Sequence, residues 1–128
     1  MLRRELLQNL GAGLGAVSLA SCANMSTSSA AKAHVVVVGG GFGGATAAKY
    51  IRMWSGGNIA VTLIEPNDSF ISCPISNMVL GGFKQMSDIT IPYTNLSDRH
   101  GVVVIKDKVQ SLNADKRTVT LASGKELS

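Results

Sequence analysis

The chain has 128 residues, of which 45% are hydrophobic and 16% charged, enough for one small globular domain and unlike a disordered chain. Of the formal net charge of +4, two units fall in residues 1–33 (Arg3, Arg4 and Lys32 against Glu5); the other basic residues are scattered singly and aromatics make up only 5%, which excludes a nucleic-acid-binding patch. Two isolated histidines, His34 and His100, and two distant cysteines, Cys22 and Cys73, offer no metal-ligand spacing, so no metal site is expected and both histidines read as ordinary strand-end or surface residues.

Residues 1–33 begin with a basic pair, pass through an apolar Gly/Ala-rich run from Leu10 to about Ala23, and end in small and hydroxyl residues. This is export-signal architecture, and the apolar run is well short of the ~20 residues that span a bilayer. Arg3-Arg4 followed by Glu5-Leu6-Leu7 resembles a twin-arginine leader, with Leu2 standing where Ser or Thr is usual. Ala31-Lys32-Ala33 fits small-x-small cleavage and would release a soluble chain starting at His34. Leu19-Ala20-Ser21-Cys22 resembles a lipoprotein box, in which case a lipidated Cys22 would give membrane contact. Either route places the mature protein outside the cytoplasm of a bacterium, and a periplasmic location is expected.

Residues 34–128 are expected to form an α/β domain. Val35 to Val38 is a β-branched run, apolar on both faces, which predicts a buried parallel strand. It runs into Gly39-Gly40-Gly41-Phe42-Gly43-Gly44, where Gly39-x-Gly41-x-x-Gly44 satisfies the dinucleotide fingerprint. The three glycines serve a tight turn, close approach to a pyrophosphate, and close helix-to-strand packing. Ala45 to Trp54 predicts a helix with Ala48, Ile51 and Ala47 toward the sheet, its free N–H groups directed at the diphosphate. Ser55-Gly56-Gly57-Asn58 ends that helix, and Ile59 to Ile64 is the second strand. Glu65 closes the strand about 20 residues beyond the glycines, where an acid accepts hydrogen bonds from a ribose hydroxyl. Gly39, Gly41, Phe42, Gly43, Gly44 and Glu65 are therefore the candidate cofactor-binding residues.

Next comes FISCPISN, Phe70 to Asn77, with the solitary Cys73. Two readings stay open from the residues alone: a reactive thiolate favoured near a positive helix end, or a small residue buried as a hydrophobe. Phe83 to Asp88 reads as loop, Ile89-Thr90-Ile91 as extended, and Pro92 to about Arg99 as a short helix closed near His100-Gly101. Gly101 to Ile105 predicts a third buried parallel strand. Lys108 to Asn113 and Arg117 to Leu121 flank the turn Asn113-Ala114-Asp115-Lys116 as an antiparallel hairpin, and ASGKELS turns toward a further strand that the sequence does not reach.

VVVVGGGFGGATAAKYIR, VTLIEPN and FISCPISNMVLGG together resemble the flavoprotein subunit of flavocytochrome c sulfide dehydrogenase, kin to sulfide:quinone oxidoreductases in the FAD-dependent pyridine nucleotide-disulfide oxidoreductase superfamily. The resemblance implies an incomplete Rossmann-like FAD-binding domain, a parallel sheet with a βαβ unit plus an antiparallel hairpin. It implies FAD as cofactor, carried by Cys73 through an 8α-thioether, with Ser76-Asn77 and Gly81-Gly82 at matching positions and Pro74 where an aromatic residue is frequent. An inorganic sulfur substrate and a c-type cytochrome subunit are the implied partners. No second cysteine follows Cys73, so no catalytic residue is assigned to this chain, which is expected to be the N-terminal part of a longer protein. A membrane-associated sulfide:quinone or NAD(P)H:acceptor oxidoreductase and a catalytically inert FAD-binding fragment are the alternatives.

Overall fold

A computed structural model of the chain describes residues 31–128. The twin-arginine-like pair, Cys22 and most of the leader lie outside the described residues. Within them, no helix is long and apolar enough to cross a membrane.

Strand β1 (Ala33–Val38), helix α1 (Phe42–Trp54) and strand β2 (Ile59–Ile64) form the expected βαβ unit, with β1 and β2 parallel and in register from Ala33–Ile59 to Val38–Ile64. Strand β5 (Val103–Ile105) pairs in parallel on the other side of β2, giving the order β1-β2-β5. Only the central strand is covered on both faces. Because side chains alternate along a strand, Val61 and Leu63 pack with Ala48, Tyr93 and Val102 on the helix side, whereas Ile64 meets Val119 and Leu121 on the other. Each such fully buried aliphatic side chain contributes about 1.5–3 kcal/mol relative to exposure.

Strands β1 and β5 differ from the expectation of full burial. Val35, Val36 and Val37 are half-buried and Val38 exposed, and Val103 is exposed as well. Each strand has a single neighbour in the described sheet, so its β-branched run is shielded on one edge only.

Along α1, Ala45, Ala48 and Ile51 pack against the core, while Ala47 is exposed. At 3.6 residues per turn Ala47 lies about 100° from Ala48, and Ala45 takes the place expected for it. Ser55 caps the helix, and Gly56 and Gly57, at φ 58° and 84°, reverse the chain. Arg52 secures that reversal by donating to the carbonyls of Gly57 and Ile59, the latter at 2.9 Å.

After β2 comes an arm built on a separate two-stranded sheet. Strand β3 (Ser69–Ile71) leads into a 3₁₀ turn at Cys73–Ile75 and the short helix α2 (Ser76–Leu80). Residues 83–88, expected as loop, include the start of a single helical turn α3 (Met86–Ile89), because Gln85 and Asp88 close a reciprocal capping box. Ile89, expected as extended, ends that turn and is buried. Strand β4 (Thr90–Pro92) then pairs antiparallel with β3, and helix α4 (Thr94–His100) begins two residues beyond Pro92, ending at Gly101 with φ 64°. Strands β6 (Val109–Asn113) and β7 (Thr118–Leu121) form the expected hairpin. The strand that the sequence reading left unreached is present: Gly124, at φ 86°, permits a tight reversal, and β8 (Glu126–Leu127) pairs with β7.

Candidate functional site

The glycine run occupies the crossover from β1 to α1. Gly39 leaves the sheet at φ 90°, a conformation that favours glycine, while its N–H continues the ladder to the Ile64 carbonyl at 2.9 Å. A Cβ at Gly44 would collide with the Gly39 carbonyl oxygen, so the helix can approach the strand this closely only without one. At Gly41 and Gly43 a Cβ would meet nothing within 4 Å, which leaves an open cradle over the start of α1.

That helix start is electrostatically unbalanced. Gly41 is its N-cap, no side chain caps it, and its first turn carries no acid. The N–H groups of Gly41, Phe42, Gly43 and Gly44 have no hydrogen-bond partner among the described residues. Four converging donors and the positive helix end are suited to an anionic group such as a diphosphate.

Glu65 lies directly beneath the run and is only 8% exposed. Its Oε2 accepts from the Gly40 N–H at 2.7 Å; its Oε1 accepts from the Asn67 N–H at 3.0 Å and side-chain amide at 2.7 Å. Burial alone pushes this carboxyl up, but the bonds from Gly40 and Asn67 outweigh it and hold the group below its ordinary value. Glu65 is therefore an anion at neutral pH. A carboxylate has about four acceptor positions, and three are used here by Gly40 and Asn67. A hollow of about 230 Å³ is lined by residues that include Asn67, Asp68, Tyr93, Val104 and Lys106. A larger one, about 840 Å³, lies between β1 and the β6–β7 hairpin, remote from the glycine run.

Cys73 is exposed and has no disulfide partner among the described residues. The exposed position disfavours the reading of a buried hydrophobe. Its carbonyl accepts from the Ser76 hydroxyl at 2.8 Å, which steadies the 3₁₀ turn. The thiol makes no hydrogen bond to the glycine run, but its arm is tied to that side of the domain. Phe70 packs edge-on against Phe42 of the first helical turn, with ring centroids 4.6 Å apart, and β4 delivers Tyr93 to the glycine loop. Phe42 thus serves as a strut between loop and arm while remaining 59% exposed.

Three participants escape the sequence reading: Gly40, Asn67 and Tyr93. Gly40 occupies a variable position of the fingerprint, yet a Cβ there would lie 2.5 Å from Tyr93 Cζ. The extra glycine within Gly39-Gly40-Gly41 is the signal that could have exposed it. Tyr93 carries no local signal. His34, read as a strand-end residue, bonds through its ring to Thr62 Oγ1 at 2.8 Å and the Ser128 carbonyl, outside this site.

Comparison with known proteins agrees with the architecture. The family model for pyridine nucleotide-disulphide oxidoreductases matches residues 33–128. The chain is 60% identical over 46 residues to the flavoprotein chain of sulfide dehydrogenase (flavocytochrome c) of Chlorobaculum thiosulfatiphilum, covering 36% of this chain and 94% of that sequence. It is 33% identical over 94 residues to the sulfide-quinone reductase of Aquifex aeolicus and 36% identical over 100 residues to the mitochondrial sulfide:quinone oxidoreductase of Mus musculus. These matches cover 73% and 77% of this chain but only 22% of each relative, so the chain spans about a fifth of their length. The solved structure of the Aquifex aeolicus sulfide:quinone oxidoreductase superposes with a TM-score of 0.64 over 74% of this chain and 22% of that one. Putidaredoxin reductase in its complex with putidaredoxin, at 24% identity and a TM-score of 0.63 over 77% of this chain and 24% of that one, shares the fold. With the glycine crossover, the terminal acid and the parallel sheet in place, the chain belongs to the pyridine nucleotide-disulphide oxidoreductase family.

Proposed function

We propose that this chain is the FAD-binding portion of a flavin-dependent sulfide dehydrogenase that passes electrons to a c-type cytochrome subunit. The observation that carries the reading is the 60% identity to the flavocytochrome c flavoprotein chain. The exposed Cys73, on an arm joined to the glycine loop, supports it.

In this reading the N–H groups of Gly41, Phe42, Gly43 and Gly44 receive the pyrophosphate, and Gly39 supplies the turn that aims them. Glu65 holds the ribose, its negative charge disfavouring a 2′-phosphate. Cys73 anchors the cofactor as a thioether, which requires the solvent access that the thiol has. When bound, FAD would supply the redox chemistry between the sulfur substrate and a one-electron acceptor. The role of these residues is to bind and orient, and no catalytic residue is assigned among them. The leader-like residues 1–33 support export to the periplasm.

A quinone-linked reading has its own support in the matches to two sulfide:quinone enzymes over about three-quarters of this chain. Acid precipitation of the purified protein separates the readings. Yellow colour in the pellet supports thioether attachment and the cytochrome-linked enzyme; colour released to the supernatant favours the quinone-linked relative. A chain that retains no flavin in either form, while a longer product of the same gene is yellow, would be an inert binding fragment.

A further inference from the structure

Tyr93 is reached from Pro92, the last residue of β4, and its ring enters the core beside Ala48, Val61 and Leu63. Only 7% of it is exposed. Its hydroxyl donates to the Gly40 carbonyl at 2.8 Å, across a separation of 53 residues. On the other side of the same residue, the Gly40 N–H donates to Glu65. Both polar groups of one glycine are thus held by buried side chains from different parts of the chain. The absence of a Cβ at Gly40 is what lets the phenol come so near.

A trans peptide unit is planar, with its C=O and N–H directed oppositely. Fixing the Gly40 carbonyl toward Tyr93 therefore fixes the Gly41 N–H in the opposite direction. That N–H has no partner among the described residues, and the space above Gly41 is open. Glycines on both sides would otherwise let this peptide flip at little steric cost. Burial, and then the negative charge of Glu65, push the Tyr93 phenol up, so it stays a neutral donor at physiological pH.

We propose that Tyr93 is a positioning residue for the diphosphate: its hydroxyl locks the Gly40–Gly41 peptide so that the Gly41 N–H is presented to the phosphate oxygens before the ligand arrives. The proposal rests on the dinucleotide-binding reading above. It differs from a space-filling role for the ring, because the ring alone would leave the peptide free to turn.

The test compares Tyr93→Phe with the parent protein, both carrying Cys73→Ser so that no covalent bond hides the equilibrium. Dissociation constants are measured by calorimetry for FAD, ADP and adenosine, beside the melting temperature of the ligand-free protein. Losing one hydrogen bond that organises the phosphate site raises the constants for FAD and ADP roughly five- to tenfold, in line with the usual net worth of such a bond, and leaves adenosine within about twofold. The ratio of ADP to adenosine affinity is the deciding quantity, since general loosening weakens both alike. An unchanged ratio in Tyr93→Phe overturns the proposal while leaving the dinucleotide site standing. A parent protein that binds neither FAD nor ADP overturns the site and this proposal together. Should the Phe variant fail to fold, Tyr93→Met, which also fills the space without a hydroxyl, is measured in its place with the same two outcomes.

Discussion

The glycine loop and the Cys73 arm lie side by side yet are built in opposite ways. Around Gly40 the chain satisfies itself: Glu65, Tyr93 and the Ile64 carbonyl all bond into the loop, and two of the three are buried side chains. The 3₁₀ turn and α2 contain no buried residue, and Leu80 is 90% exposed at the end of the arm. Phe83, just beyond, is 79% exposed. The loop is therefore a preorganised element whose geometry costs energy to change, whereas substitutions on the 3₁₀ turn and α2 have few contacts to lose. A cofactor held at both would take its position from the loop and only its tether from the arm.

Breaking the loop sterically should have the largest effect. Gly44→Ala forces a methyl into the Gly39 carbonyl and should destabilise the protein by about 3 kcal/mol or more, read as a lower denaturant midpoint. A midpoint equal to that of the parent would mean that the helix and strand are not packed as closely as described.

Next in size is Glu65→Gln, which replaces a buried carboxylate accepting three hydrogen bonds. Loss of charge-assisted bonding of about 1.5–3 kcal/mol should weaken FAD binding by one to two orders of magnitude, measured by titration in the Cys73→Ser background. The same group sets an acid limit. Its folded value is depressed from 4.5, so its contribution is fully present above that value and is lost as pH falls through the lower folded value. Acid unfolding curves of the ligand-free protein should show that loss, and Glu65→Gln should lack it. An identical acid limb in both would assign the limb to other carboxylates.

The contrast sharpens at Cys73. Cys73→Ser should change stability by no more than about 0.5 kcal/mol, as for other exposed positions, yet abolish acid-stable flavin. Acid-resistant yellow colour surviving the substitution would place the attachment elsewhere. The smallest expected effect is Leu80→Ser on the exposed end of the arm, within about 0.5 kcal/mol in stability and without effect on FAD affinity. A larger loss would show that the arm contributes to folding of the loop.

Local sequence made much of the loop legible. A strand that runs into glycines, a helix with small residues toward the sheet, and an acid at the end of the next strand follow from periodicity and steric limits acting within about 30 residues. The same signals located the Gly56-Gly57 turn and the β6–β7 hairpin. They misplaced Ala47, because an alanine-rich helix has several small residues and only packing selects its buried face. They overstated the burial of β1 and β5, since an apolar run reports what a strand tolerates and not how many neighbours it has.

The amino-acid order by itself determined the turn at Gly39, the close approach at Gly44 and the position of Glu65, because each is a property of backbone sterics or strand length over a short span. Tertiary structure alone decided that Gly40 must be a glycine and that Tyr93 is its partner. The clash and the hydrogen bond that impose this join residues 53 positions apart, and contacts over that distance exist only once the β3–β4 arm has folded back on the sheet.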